Sequence, residues 1–161
     1  MHLAEVAGGR DLEEVRDLFR EYAGQVGVDL CFQDFPRELA ELPGDYVAPS
    51  GTLLLARVSG FAAGCVATHR WSHDACEMKR LFVRHEFRGA GLGDTLAQAV
   101  IARARAEGYR RVLLDTLPSM GEAQRLYVRL GFREIAPYRF NPIPGAKYME
   151  LDLDANGVGA V

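Results

Sequence analysis

The sequence predicts an α/β (α+β) fold, with one domain over residues 1–161. Its core is a mixed, mostly antiparallel central sheet of about six to seven strands with helices on both faces. Three observations carry that expectation. TLLLARV at 52–58 and FAAGCVATH at 61–69 flank the turn signal Ser59-Gly60 and read as a hairpin. From residue 76 onward, strand-like and helix-like stretches alternate. The start of the chain is helical in period.

Taken in order, Asp11 and Glu14 fit a capping box. Behind it Leu12, Val15, Phe19, Tyr22 and Val26 recur at helical spacing, and Gly24 and Gly27 end the run. A shorter helix is expected from Phe35 to Leu42, stopped by Pro43-Gly44. The hairpin follows, and CEMKRLFV at 76–83 is the next strand. Beyond a glycine-rich connector, Leu92, Leu96, Ala97, Val100, Ile101 and Ala104 line one face of a helix that Gly108 caps. RVLLDT at 111–116 reads as a short buried strand, and a right-handed crossover makes 76–84 and 111–116 parallel. Ser119 and Glu122 form a second capping box. Ala123, Leu126, Tyr127 and Leu130 share the face of the helix behind it, and Gly131 ends that helix. Two last strands are expected near Phe132–Ala136 and Ala146–Leu153, before a frayed tail.

Composition narrows the function. A chain of this length buries roughly 68–70% of its unfolded surface and needs no staple. A net charge of −3 gives no case for nucleic-acid binding, which needs a basic face. No apolar run approaches the roughly 18 residues of a membrane span. The N-terminus lacks a basic start followed by an apolar core, so no signal peptide is expected and the location expected is cytoplasmic. Cys31, Cys65 and Cys76 form no CxxC, and His2, His69, His73 and His85 form no paired helical set, so no metal is expected.

The chemistry gathers at RGAGLG, 88–93, where Gly89, Gly91 and Gly93 stand between a strand and a helix. A helix start leaves N–H groups without internal partners, and these attract an anion. Glycine lets the backbone approach a ligand and adopt positive φ. The stretch suits a phosphate group; a tight turn without a ligand is the plainer alternative. A nucleotide P-loop would need Gly-Lys-Ser/Thr, which is absent. A dinucleotide fingerprint counted from Gly89 would need Gly or Ala where Asp94 stands, although Asp115 lies at a suitable strand end. The five residues RHEFR also separate Val83 from the first glycine, where that fingerprint turns directly.

RGAGLG resembles the Arg/Gln-x-x-Gly-x-Gly/Ala loop of the GNAT family of N-acetyltransferases, and LFVRHEF before it resembles that family's fourth strand and connector. AQRLYVRLGF, 123–132, resembles its second hallmark, Ala-x-x-Leu-Tyr-x-x-x-Gly-Phe. The resemblance covers roughly residues 50 to 153. It implies a GNAT-type sheet whose parallel fourth and fifth strands splay apart over acetyl-CoA as co-substrate. The loop Arg88, Gly89, Ala90, Gly91, Leu92 and Gly93 would hold the pyrophosphate. Backbone groups of Phe82, Val83 and Arg84 would pair with the pantetheine arm. Where the family often carries Asn, this chain has Met120, and Ser119 or a backbone group takes that contact.

Acetyl transfer to an amine requires the amine to lose its proton and the departing thiolate to gain one. By resemblance, Tyr127 is the acid for the thiolate; otherwise it is a core aromatic beside Leu126 and Leu130. Glu77 lies eleven residues before Arg88, the offset of the base glutamate in the histone-acetylating branch of the family. In a regular strand Glu77, Lys79, Leu81 and Val83 share one face, so a Glu77–Lys79 pair on a solvated face is the structural alternative. Water held by backbone carbonyls is another route for the proton. His69, Trp71 and His73, with Tyr138, Arg139 and Asn141 from the proline-rich loop, are candidates for the acceptor wall. The expected activity is direct N-acetylation of a primary amine of a small molecule in a ternary complex, because no cysteine lies in either motif. Protein acetylation, at lysine or the N-terminus, and a non-catalytic acyl-CoA sensor are the alternatives. The expected partners are acetyl-CoA and an amine acceptor, with no nucleic acid and no membrane, and a homodimer is allowed.

Overall fold

The computed structural model describes residues 1–27 and 34–154. Cys31 and the tail from residue 155 lie outside the described residues. The order of elements is β1 (His2–Glu5), α1 (Gly9–Val26), α2 (Phe35–Glu41), β2 (Thr52–Val58), β3 (Phe61–Arg70), β4 (Ala75–Val83), a 3-10 turn (His85–Phe87), α3 (Leu92–Ala106), β5 (Arg111–Thr116), α4 (Gly121–Leu130), β6 (Arg133–Ile135) and β7 (Lys147–Asp152). The strands form one sheet in the order β1-β2-β3-β4-β5-β7-β6. Among the described residues only β4 and β5 pair in parallel.

Two apolar layers sandwich the sheet. On one face α3 sets Leu92, Leu96, Val100 and Ile101 against Leu54, Val66, Met78, Val112 and Leu114, and Tyr127 of α4 joins them. On the other face α1 and α2 bring Leu12, Val15, Leu18, Phe19 and Phe35 onto Leu53, Leu55, Cys65, Ala67 and Phe82. Alternate residues of β2 and β3 thus serve opposite layers, as the period of a strand requires.

Two features of β4 position the site. Its pairing with β5 covers only Ala75–Glu77 opposite Arg111–Leu113, whereas β5 stays paired with β7 as far as Thr116 opposite Lys147. Beyond Glu77 the two parallel strands part. In addition, β4 carries a bulge. Cys65 pairs Phe82 and Ala67 pairs Lys79, so Val66 faces two residues, and Arg80 takes a left-handed φ of 61°. The bulge reverses the alternation. Leu81 and Val83 pack with Cys76 and Met78, while Phe82 joins the α1 layer. The face expected for Glu77, Lys79, Leu81 and Val83 together is therefore split at Arg80.

Three local expectations are corrected. Helix α1 starts at Gly9 and runs through Gly24, and no side-chain cap forms. Asp11 and Glu14 instead receive the Arg57 guanidinium from β2. Ser119 and Glu122 form no capping box either, because the residue ahead of α4 is Met120 and its side chain makes no cap. Strand β1 was unanticipated, since four residues are too few to show a period of two.

Candidate active site

The connector after β4 leads through the 3-10 turn to Gly89 at φ 88° and Gly91 at φ 80°, both left-handed. That conformation is open to glycine at little cost and strained for residues with a Cβ. Gly91 precedes α3 with no side-chain cap, so the first N–H groups of that helix face outward with the positive end of its dipole. They open into a cleft of about 650 Å³. Phe82 and Val83 of β4, then Arg88, Gly89, Gly91, Leu92 and Gly93, form one wall. Ser119, Met120, Ala123 and Leu126 form the facing wall, and Arg125 and Arg129 of α4 add positive charge.

Most of the expected cofactor residues thus meet at one cleft; Arg84 and Ala90 do not line it, and Arg88 lines it with its N–H already bonded. The N–H of Arg84 donates to the Ala63 carbonyl at 2.8 Å and its guanidinium binds Glu21, so Arg84 belongs to the β3 edge. The N–H of Arg88 donates to the His85 carbonyl at 3.2 Å, and its side chain reaches Gln25 and the Val83 carbonyl. Ala90 sits in the turn but is not among the residues lining the cleft.

Where β4 and β5 part, a second, water-sized space of about 30 Å³ lies among Tyr22, Lys79, Arg80, Asp115, Tyr127 and Asn141. Tyr127 is 6% exposed, and its ring lies 5.6 Å from that of Phe132. Burial raises its hydroxyl well above the ordinary tyrosine value, with help from Tyr22 and Asp115. It is therefore protonated at any working pH, as an acid must be before it acts. Leu81, Met120 and Tyr22 border both spaces, which sets the two side by side.

Glu77 is fully buried, so the solvated-face pairing does not occur. Its Oε1 meets His69 Nε2 at 2.8 Å, Tyr138 Oη donates to Oε2 at 2.7 Å, and Arg139 Nη1 donates to both oxygens at 2.7 Å. Burial alone would raise its carboxyl, but the His69 hydrogen bond, the charges of Lys79 and Arg139 and the Tyr138 hydroxyl together hold it at about 2. A carboxyl so acidic is a weak proton acceptor near neutral pH. Lys79 goes the other way. Burial first, then Arg80, push its amine down to about 8, while Glu77 pulls it back. Arg80 donates to both oxygens of Glu38 at 2.9 Å.

The acceptor-wall candidates converge, with one exception. Trp71 meets Tyr138 edge to face at 5.1 Å and lies under the Arg139 guanidinium, and His69 meets Tyr46 at 5.8 Å. His73 remains at the exposed tip of the hairpin. Tyr22, Asp115 and Arg80 were missed as site residues. Tyr22 was assigned to a helix face, Asp115 to a strand end, and the bulge that turns Arg80 inward has no marker in the sequence.

The start of α3 offers open N–H groups that suit an anion, and the parted edge of β4 leaves room for an extended arm. A coenzyme A-dependent acyltransferase uses a cleft of that form. The chain belongs to the acetyltransferase (GNAT) family, whose sequence pattern matches residues 12–132. It is 42% identical to an uncharacterized N-acetyltransferase of Schizosaccharomyces pombe, over 89% of this chain and 90% of that one. It is 31% identical to the N-acetylaspartate synthetase of Danio rerio, over 71% of this chain and 42% of that one. A GNAT family acetyltransferase of Elizabethkingia anophelis with acetyl-CoA bound superposes with a TM-score of 0.55 at 25% identity, over 64% of this chain and 76% of that one. The protein is an N-acetyltransferase with acetyl-CoA as its co-substrate.

Proposed function

We propose that the acceptor is the primary amine of a small molecule and that the acetyl group passes to it directly, in a ternary complex. The observation that carries the primary-amine reading is the narrow space before Tyr127, water-sized at about 30 Å³. An amine tip fits there, under a loop fixed to both strands. The product named in N-acetylaspartate synthetase, a small N-acetylated molecule, supports the same reading. Direct transfer is supported by the two thiols among the described residues. Cys65 and Cys76 are buried, and burial raises both, Cys76 to about 12, so neither is a ready thiolate carrier.

Acetyl-CoA supplies the activated thioester. The first N–H groups of α3 and the Gly89–Gly91 backbone fix its pyrophosphate, and the open edge of β4 at Phe82 and Val83 guides the pantetheine. Transfer forms one N–C bond and breaks one C–S bond. The acceptor ammonium gives up two protons in all. One replaces the proton that Tyr127 passes to the sulfur, and the other leaves through water. Glu77, held ionised by His69, Tyr138 and Arg139, anchors the acceptor loop.

A coenzyme A-release assay across a panel of small primary amines tests the reading, alongside mass spectrometry of an acetyl-CoA-treated cell extract. Turnover of small amines with unmodified extract proteins is expected. Turnover confined to proteins would replace the small acceptor with a polypeptide one.

A further inference from the structure

Three carboxylates surround the acceptor end, and their partners differ. Glu77 is bound by Arg139 and Glu38 by Arg80, each through both oxygens. Asp115, at the parting end of β5, instead accepts a hydrogen bond from the neutral Asn141 amide, Nδ2 to Oδ2 at 3.0 Å. Asn141 is itself fixed, since its Oδ1 accepts the Ile143 N–H at 3.0 Å. Of the three, only Asp115 lines the space that Tyr127 also lines. Lys79 borders it from β4 with an amine brought down to about 8.

We propose that Asp115 is the carboxylate that receives the acceptor's ammonium group and holds its nitrogen toward the thioester beside Tyr127. This rests on the reading of the acceptor as a primary amine. Three features favour it. A partly buried carboxylate makes a stronger, charge-assisted hydrogen bond to an ammonium than a neutral group does. The Asn141 amide orients the carboxylate and, unlike an arginine, brings no charge of its own. The location is also right, because Asp115 is close enough to raise the hydroxyls of both Tyr127 and Tyr22 by its charge. The acceptor selected by this arrangement is cationic at the reacting end, which disfavours hydroxyl and thiol acceptors.

Two small probes test it. Ethylamine is protonated near neutral pH and hydroxylamine is neutral, and both are small enough to reach Tyr127. With acetyl-CoA saturating, coenzyme A release from each probe is measured for the parent, Asp115→Asn, Asp115→Glu and Asn141→Ala. Asp115→Asn is expected to lower the ethylamine-to-hydroxylamine rate ratio by at least about tenfold. Asp115→Glu should restore part of the ratio, and Asn141→Ala should lower it by less than Asp115→Asn does. Calorimetric acetyl-CoA affinity should stay within about twofold throughout, because Asp115 does not line the cofactor cleft. An Asp115→Asn protein that binds acetyl-CoA normally and keeps the parent ratio would overturn the assignment while leaving the cofactor reading intact. Loss of acetyl-CoA binding in the parent would instead overturn the reading beneath it.

Discussion

Tyr138 and Asn141, three residues apart in one loop, fasten the two strands that part at the active site. Tyr138 donates to Glu77 on β4 at 2.7 Å, and Asn141 donates to Asp115 on β5 at 3.0 Å. The loop keeps its shape locally. At Gly145, φ is 80° and a Cβ would approach Pro118 Cγ to 2.7 Å, so the chain can turn there only with glycine. The acceptor end is thus closed by polar bonds to one strand on each side of the gap, and the first consequence concerns Glu77.

Replacing Glu77 with Gln should unfasten this loop and leave the proton route in place. The folded carboxyl sits at about 2 against 4.5 for the ordinary group, so its contribution is full above about pH 4.5 and is lost as pH falls toward 2. The size is roughly 3 kcal/mol. Denaturant unfolding across pH should show Glu77→Gln less stable at neutral pH, with the gap to the parent narrowing between pH 4.5 and 2. Turnover should fall, yet the pH–rate profile should keep the parent's shape. A profile whose rate recovers at high pH would restore Glu77 as the base.

Lys79 carries the opposite sign. Its folded amine at about 8 lies below the ordinary 10.5, so holding it charged works against the fold at every pH below about 8. That penalty fades as pH rises from 8 to 10.5. Lys79→Met should therefore raise the melting temperature at neutral pH, by up to roughly 3 kcal/mol in unfolding free energy, with the gain shrinking above pH 8. A variant less stable than the parent at pH 7 would mean that Lys79's attractions to Glu77 and Asp115 outweigh its burial.

Much of this arrangement was legible in the sequence. The hairpin, the parallel pair and the helix after Gly91 follow from short-range periodicity and turn chemistry, and they stand where expected. The glycines at 89 and 91 marked the left-handed turn, because φ is a local property. Long-range choices were not legible. Nothing near Asp11 and Glu14 shows that Arg57, on another strand, will take both carboxylates from the helix cap. The Arg80 bulge inverts which side chains share a face and is set by pairing opposite Val66, so Leu81 and Val83 do not share the face of Glu77 and Lys79 as a regular strand would have it.

Tyr127→Phe removes one hydroxyl and keeps the ring against Phe132. If the hydroxyl protonates the leaving thiolate, kcat should fall by about 10²–10⁴-fold. Acetyl-CoA affinity should be nearly unchanged, because the phenol borders the small space and not the pyrophosphate turn. Steady-state kinetics with any amine that turns over, together with calorimetry, separates the two effects. Turnover within about twofold of the parent would leave Tyr127 as a packing residue.

In the proposed function the left-handed turn before α3 holds the pyrophosphate of acetyl-CoA. Gly91→Glu places a strained side chain and a negative charge at that turn, where φ is 80° and a Cβ alone would meet nothing within 4 Å. The direct measurement is calorimetric titration of acetyl-CoA into the parent and into Gly91→Glu, with circular dichroism confirming that the variant is folded. Saturable binding to the parent and a loss of at least about tenfold, about 1.4 kcal/mol, in the variant are expected. A folded Gly91→Glu protein that binds acetyl-CoA as tightly as the parent would contradict it.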